Sequence, residues 1–303
     1  MMADSSISRH PRSYSQEGKQ TNFRLYYRLI KPGIVYSNVM TGVAGYLLAS
    51  DWHIRLLVLV ALLLGMGLLI AGACVLNNFI DRGLDARMER TKKRASVSGE
   101  ISPPRILGFG ALLLSFGLVA LLETNSLTIL IGILAVISYV IVYGVAKRRT
   151  VYGTLVGTLP GGASLVAGYV AVTDKLSLAA VLLLALMVFW QMAHFFAISI
   201  YRIKDYASAG LPLWSIKRGI PSTINQIRLY ILAFLFTSFL FTVLGYAGYS
   251  FLAVMVVASA YWLNVVYKPS QGNETAWAKK VFLTSLVVLL LMSAMLPISK
   301  IVP

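Results

Sequence analysis

Eight runs without a single charged side chain, at 32–50, 56–80, 106–122, 124–146, 150–173, 176–201, 229–267 and 281–299, limit what this chain can fold into. Each is close to the roughly 20 residues that a helix needs to cross a hydrocarbon core of about 30 Å. In that medium the backbone must satisfy its own hydrogen bonds, which leaves helices or a closed barrel. The runs are continuously apolar rather than alternating, which argues against a barrel. The run 229–267 is twice the needed length and breaks at Gly245-Tyr-Ala-Gly-Tyr-Ser250, so it reads as two helices, 229–245 and 250–267. The expectation is an all-α integral membrane protein: nine spanning helices in one bundle over 29–303, preceded by a disordered basic segment at 1–28, with no soluble domain. Composition agrees, with 58% hydrophobic and only 13% charged residues.

Placing the N-terminus in the cytoplasm puts 24 of the 27 Lys and Arg on that side and leaves only Arg55, Lys175 and Lys300 opposite. This is a strong positive-inside pattern. Topology and contact with anionic lipid account for the net charge of +16 without nucleic acid as a partner. The reading is a multi-pass protein of a bacterial inner membrane. Residues 1–28 lack the apolar segment of a signal peptide. Cys74, the only cysteine, excludes an intramolecular disulfide.

The chain has only 11 acidic residues, and two of them sit where an apolar run meets a basic loop. Asn77, Asp81 and Asp85 are spaced four apart and share one helical face. Arg87, Arg90, Lys92, Lys93 and Arg94 follow at once. Hard oxygen ligands in this pattern suit Mg²⁺ held jointly with a substrate's phosphates, and nearby cations would neutralise the remaining phosphate charge. The loop to Pro103-Pro104 is too long for a simple connector. Lys147-Arg148-Arg149 is either a membrane-interface anchor or a phosphate clamp. Gly153, Gly157, Gly161 and Gly162 with Pro160 weaken a helix, and serve either tight packing or a cavity for a flat ligand. Asn38 and His194 are polar residues inside spans. His194, one turn from Gln191, is either a satisfied core group or a ligand, acid or base. The run 176–201 then ends at Arg202, Lys204 and Asp205, repeating the pattern of an apolar helix followed by acid and base.

These residues resemble the intramembrane, UbiA-type prenyltransferase superfamily, and within it the branch that farnesylates protohaem. Asn77, Asn78, Asp81 and Asp85 match its N-[ND]-x-x-D-x-x-x-D motif. Met88, Arg90, Thr91 and Arg94 match the continuation in the haem branch. Trp190, Gln191 and His194 match WQ-x-P-H, with Ala193 in place of Pro. Asp205, Tyr206, Ala209 and Gly210 match D-Y-x-x-A-G. Arg148, Arg149 and Thr150, beside Lys147, match KR-x-T. Ser164-Leu165 replace a usual Pro pair, and Ala95-Ser96-Val97 replace an RPL-like triplet. The resemblance covers about Lys31 to the C-terminus.

The resemblance implies transfer of a farnesyl group from farnesyl diphosphate to a vinyl group of haem B, with addition of water. It implies Mg²⁺ on Asn77, Asp81, Asp85 and Asp205, with the three acids as catalytic residues. Asn77, Arg90, Lys147, Arg148, Arg202 and Lys204 would hold the diphosphate, and Trp190, Gln191 and His194 the haem. Membrane lipids would surround the enzyme, and haem A synthase or terminal-oxidase assembly proteins would be its partners. Other readings are a prenyltransferase for another acceptor such as a quinone-precursor ring, a transporter, or a haem-binding assembly factor. The acids lie at one membrane face rather than the midplane usual for transporters.

Overall fold

The computed structural model describes residues 22–268 and 272–302. Among these every regular element is a helix. A short α1 (Asn22–Leu29) precedes α2 (Pro32–Ser50) and α3 (Leu56–Ile80). Two single-turn helices, α4 (Arg82–Asp85) and α5 (Ala95–Ser98), lie in the charged loop before α6 (Pro103–Leu121). Next, α7 (Ser126–Ile137) runs through a π-helical turn at Ser138–Val142 straight into α8 (Tyr143–Arg149). There follow α9 (Gly153–Thr173), α10 (Leu178–Tyr201), the short α11 (Ile203–Ser208) and α12 (Trp214–Lys217), and finally α13 (Ile220–Val243), α14 (Tyr249–Tyr267) and α15 (Glu274–Ile298).

Eight of the described helical stretches are long and apolar enough to cross a membrane, α7 and α8 counting as one. The protein is a multi-pass membrane protein. The ninth helix expected from the sequence is present as α2, with 19 residues, but Tyr36, Ser37, Asn38 and Thr41 lower its apolar character. Asn38 spends its amide on the Ile34 carbonyl of its own helix at 2.9 Å.

Three boundaries depart from expectation. α13 begins nine residues before 229, and α15 seven residues before 281, because Lys279 and Lys280 ride on the helix exposed and the half-buried Arg228 rests its guanidinium on the Tyr267 ring, 4.3 Å from the centroid. Of the segment expected to be disordered, residues 1–21 lie outside the described residues, and 22–28 form most of α1. The helix is held because Leu25 and Leu29 are buried against Val75, Ala95, Ile101 and Ile106.

Small residues set the closest packing, as expected where lipid removes the hydrophobic drive between helices. A Cβ on Gly45 of α2 would lie 2.1 Å from the Leu165 carbonyl, and one on Gly168 of α9 would lie 2.0 Å from that of Gly42. Ser164-Leu165 therefore fall in the α2–α9 contact. The glycine-rich start of α9 also resolves as packing: Gly153 abuts Lys147 backbone, Gly157 the Tyr143 ring and Gly161 the Gln191 amide. The first two let α9 press α8 into place.

Candidate functional site

The C-terminal ends of α3 and α8 meet beside α4, and the charged side chains there pair. Asp81 caps α3, its N–H donating to the Asn77 carbonyl at 2.9 Å. Its carboxylate receives Lys147 Nζ on Oδ2 and the Arg148 guanidinium on Oδ1 at 2.8 Å. Asp85, 3% exposed, receives Arg94 on Oδ2 at 2.6 Å. The same Arg94 nitrogen reaches Asn78 Oδ1 at 3.3 Å, and Lys31 Nζ reaches Asn77 Oδ1 at 3.4 Å. Burial pushes the Lys31 ammonium below the ordinary lysine value, and Arg94 pushes it the same way.

Local structure fixes these groups. Asn78 Nδ2 donates to the Leu29 carbonyl at 2.8 Å, tying α1 and the Lys31 turn to the end of α3. Thr91, fully buried, donates its hydroxyl to the Asp85 carbonyl at 2.8 Å and folds the charged loop back on itself. Tyr139, Tyr143 and Lys147 recur every four residues, and the two rings stack at 5.7 Å with Lys147 Nζ 5.0 Å from the Tyr143 centroid. An aromatic wall thus leads from the ionic cluster into the bundle. The π turn between α7 and α8 lies within it, a feature often found at functional sites.

Of the residues singled out in the sequence, Asn77, Asp81, Asp85, Lys147 and Arg148 come together. Asp205 stands apart, and among the described residues no three carboxylate, His or Cys side chains gather closely enough to hold a metal ion. Asp205, Arg202 and the exposed Arg90 surround the Tyr206 phenol, which burial pushes above its ordinary value. Lys204 is exposed beside them on α11. This outer tier is joined to the charged loop by Ser208, whose hydroxyl donates to the Arg87 carbonyl at 2.8 Å. Arg94, Lys31 and the Tyr139–Tyr143 pair were not assigned from the sequence. Arg94 was matched to a motif but given no role, whereas the four-residue spacing of the tyrosines from Lys147 was readable.

Trp190, Gln191 and His194 occupy the middle of α10, with their polar atoms engaged. Trp190 Nε1 donates to the Ser285 carbonyl at 2.8 Å, and Gln191 Nε2 to the Thr158 and Met187 carbonyls, both at 3.0 Å. His194 Nδ1 lies 2.6 Å from Ser285 Oγ, which itself donates to the Phe282 carbonyl at 2.5 Å. With the Ser285 hydroxyl donating to Phe282, the Nδ1–H tautomer of His194 can donate to Ser285 Oγ, and in that tautomer Nε2 keeps its lone pair.

The model of the UbiA prenyltransferase family matches residues 38–287. The chain belongs to that family. This UbiA prenyltransferase is 40% identical over 284 residues to a protoheme IX farnesyltransferase of Klebsiella pneumoniae, covering 93% of this chain and 96% of the relative. It is equally identical over 283 residues to one from Sodalis glossinidius, covering 92% and 95%. Among solved structures, a digeranylgeranylglyceryl phosphate synthase matches with a TM-score of 0.76 at 18% identity, over 94% of this chain and all of that one. A UbiA homolog from Archaeoglobus fulgidus bound to GPP and Mg²⁺ matches with a TM-score of 0.62 at 15% identity, over 90% and 99%. These two establish the fold.

The residues of this UbiA site suit a hard divalent cation. Asp81 and Asp85 supply carboxylate oxygens one helical turn apart, as such ions require. Beside them the buried Asn77 Nδ2 has no hydrogen-bond partner among the described residues, an orphaned donor that an anionic ligand would satisfy.

Proposed function

We propose that this chain transfers the farnesyl group of farnesyl diphosphate to a vinyl group of haem B, with addition of water, giving haem O and diphosphate. It would do so in a bacterial inner membrane, with its N-terminus and ionic cluster on the cytoplasmic side, as the 24-to-3 division of basic residues supports. The observation that carries the reading is the ionic cluster: a buried carboxylate pair ringed by cations at the mouth of an apolar bundle. The names of the relatives supply the acceptor.

The chemical demand is departure of diphosphate from an allylic carbon. Asp81 and Asp85, with Asn77, would hold Mg²⁺, which when bound neutralises charge on the phosphate oxygens. Arg94, Lys147, Arg148 and Lys31 are placed to stabilise the charge that grows on the leaving oxygen as the C–O bond breaks. Arg90, Arg202, Lys204 and Asp205 form the outer tier over the mouth. The Tyr139–Tyr143 wall excludes water from the allylic cation and turns π faces toward its charge. The haem vinyl is a weak nucleophile, so its position matters more than a strong base. His194 supplies an Nε2 lone pair suited to haem iron, while Trp190 and Gln191 hold α10 against α15 and α9 so that the ring stays in place. The vinyl carbon bonds to farnesyl C1, water captures the resulting cation, and its proton leaves to solvent.

The test is mass spectrometry of haem from membranes supplied with haem B, farnesyl diphosphate and Mg²⁺. A product heavier by a farnesyl group plus a hydroxyl, absent with Asp81→Ala, is expected. Diphosphate release that depends on Asp81 while haem stays unchanged would show that the acceptor is another molecule.

A further inference from the structure

The carboxylates that would hold the metal are already neutralised by the protein's own cations. Asp81 presents both oxygens to cations, Lys147 on one and Arg148 on the other. Asp85 presents Oδ2 to Arg94, and Asn77 presents its Oδ1 to Lys31. Among the described residues, only Asp85 Oδ1 of the five candidate ligand oxygens has no such partner. Two acids face four basic side chains, so the cluster carries surplus positive charge before any metal arrives. A second imbalance points the same way. Asn77 Nδ2 is buried without an acceptor, so the site has a donor left over as well as positive charge.

We propose that Arg94 and Lys147 act as resident counter-ions that keep a bare divalent cation out of this site and admit it only together with a diphosphate. The proposal rests on the reading that the cluster holds a metal-bound diphosphate. A bare cation would have to displace charge-assisted hydrogen bonds to two buried carboxylates and enter among like charges, and the displaced Lys147 ammonium is itself buried away from solvent. A diphosphate changes both conditions. Its oxygens give Arg94, Lys147, Arg148 and the Asn77 amide new acceptors, and so free the carboxylates for the metal. Arg94 is suited to this exchange. It sits on the charged loop rather than on a spanning helix, and its planar fork pairs as well with phosphate as with carboxylate.

Coupling between two ligands is reciprocal, so diphosphate must bind more weakly without metal by the same factor that metal loses without diphosphate. Resident counter-ions also leave no exposed carboxylate pair to be filled by other divalent cations when substrate is scarce.

Equilibrium dialysis of the purified full chain in detergent tests this, with Mn²⁺ in place of Mg²⁺ and inorganic diphosphate as the anion. Protein-bound Mn²⁺ is measured against a blank of Mn²⁺ and diphosphate without protein. The expected result is that diphosphate tightens Mn²⁺ binding by between about 5-fold and about 150-fold, the usual span of such couplings. Arg94→Met and Lys147→Met should each tighten binding of Mn²⁺ alone by at least about 5-fold and shrink the coupling. Equal binding of Mn²⁺ with and without diphosphate in the natural chain overturns the proposal and leaves the metal–diphosphate reading standing. No binding in either condition overturns both. Monodisperse Arg94→Met and Lys147→Met proteins with unchanged affinity for bare Mn²⁺ overturn the assignment to these side chains. If neither variant folds, the natural chain still decides between coupled and uncoupled binding.

Discussion

His194 depends on one hydroxyl that lies 91 residues away in the chain. Ser285 Oγ on α15 lies 2.6 Å from His194 Nδ1 and donates to the Phe282 carbonyl, an arrangement that suits the tautomer whose Nε2 is free. A partner of this kind orients a metal-binding histidine, and its loss weakens ligation by about 10-fold to about 100-fold. On the proposed role of His194 as a haem-iron ligand, Ser285→Ala is expected to weaken haem B binding by that order and to shift the haem absorption bands, measured by titration in detergent. His194→Ala should remove the axial-ligand signature altogether, and an unchanged spectrum and turnover would end the role. At this scale the sequence was informative about residue types and silent about pairings. Asp81, Asp85 and His194 stood out because ionisable groups are scarce in this chain. Lys147 meets Asp81 across 66 positions, and Arg94, matched to a motif but given no partner, meets Asp85 because the charged loop folds back, and neither pairing follows from helical spacing.

Helix boundaries were legible wherever an apolar run ends in charge that cannot enter lipid, as at Asp81 and Arg202. They were not legible where a long basic side chain lets the helix continue past the run, as at Arg228 and at Lys279-Lys280. The glycines of α9 show the same limit. Their abundance left open either packing or a cavity, and only the α8 backbone at Gly153 and the Tyr143, Gln191 and Leu184 side chains at Gly157, Gly161 and Gly162 decide for packing. Gly168 is the sharpest instance, since a methyl group there would sit 2.0 Å from the Gly42 carbonyl and the contact is backbone rather than a flexible side chain. Gly168→Ala should destabilise the protein by about 1–3 kcal/mol, as overpacking a tight contact does. Thermal unfolding in detergent measures it. Gly108, on the open face of α6 with nothing within 4 Å of its would-be Cβ, supplies the control, and Gly108→Ala should not lower stability.

The whole molecule is polarised: the ionic cluster, the charged loop, α1 and the outer tier around Tyr206 all lie at one end of the bundle, and that end carries the basic residues. The orientation proposed above then has a direct consequence for which side supplies the diphosphate. It is testable because Cys74 is the only cysteine and is buried. On a Cys74→Ala background, Lys175→Cys in the exposed turn between α9 and α10 should react with a membrane-impermeant maleimide in intact spheroplasts. Lys93→Cys in the exposed charged loop should react only after the membrane is opened. The opposite labelling pattern would put the cluster outside, away from a cytoplasmic pool of farnesyl diphosphate, and would contradict the charge distribution itself. Because basic residues near span ends orient the entire bundle, replacing a few of those at 87–94 should change the fraction inserted correctly only when several are removed together. Single replacements there should instead report on substrate binding, which separates the two roles that this one basic segment plays.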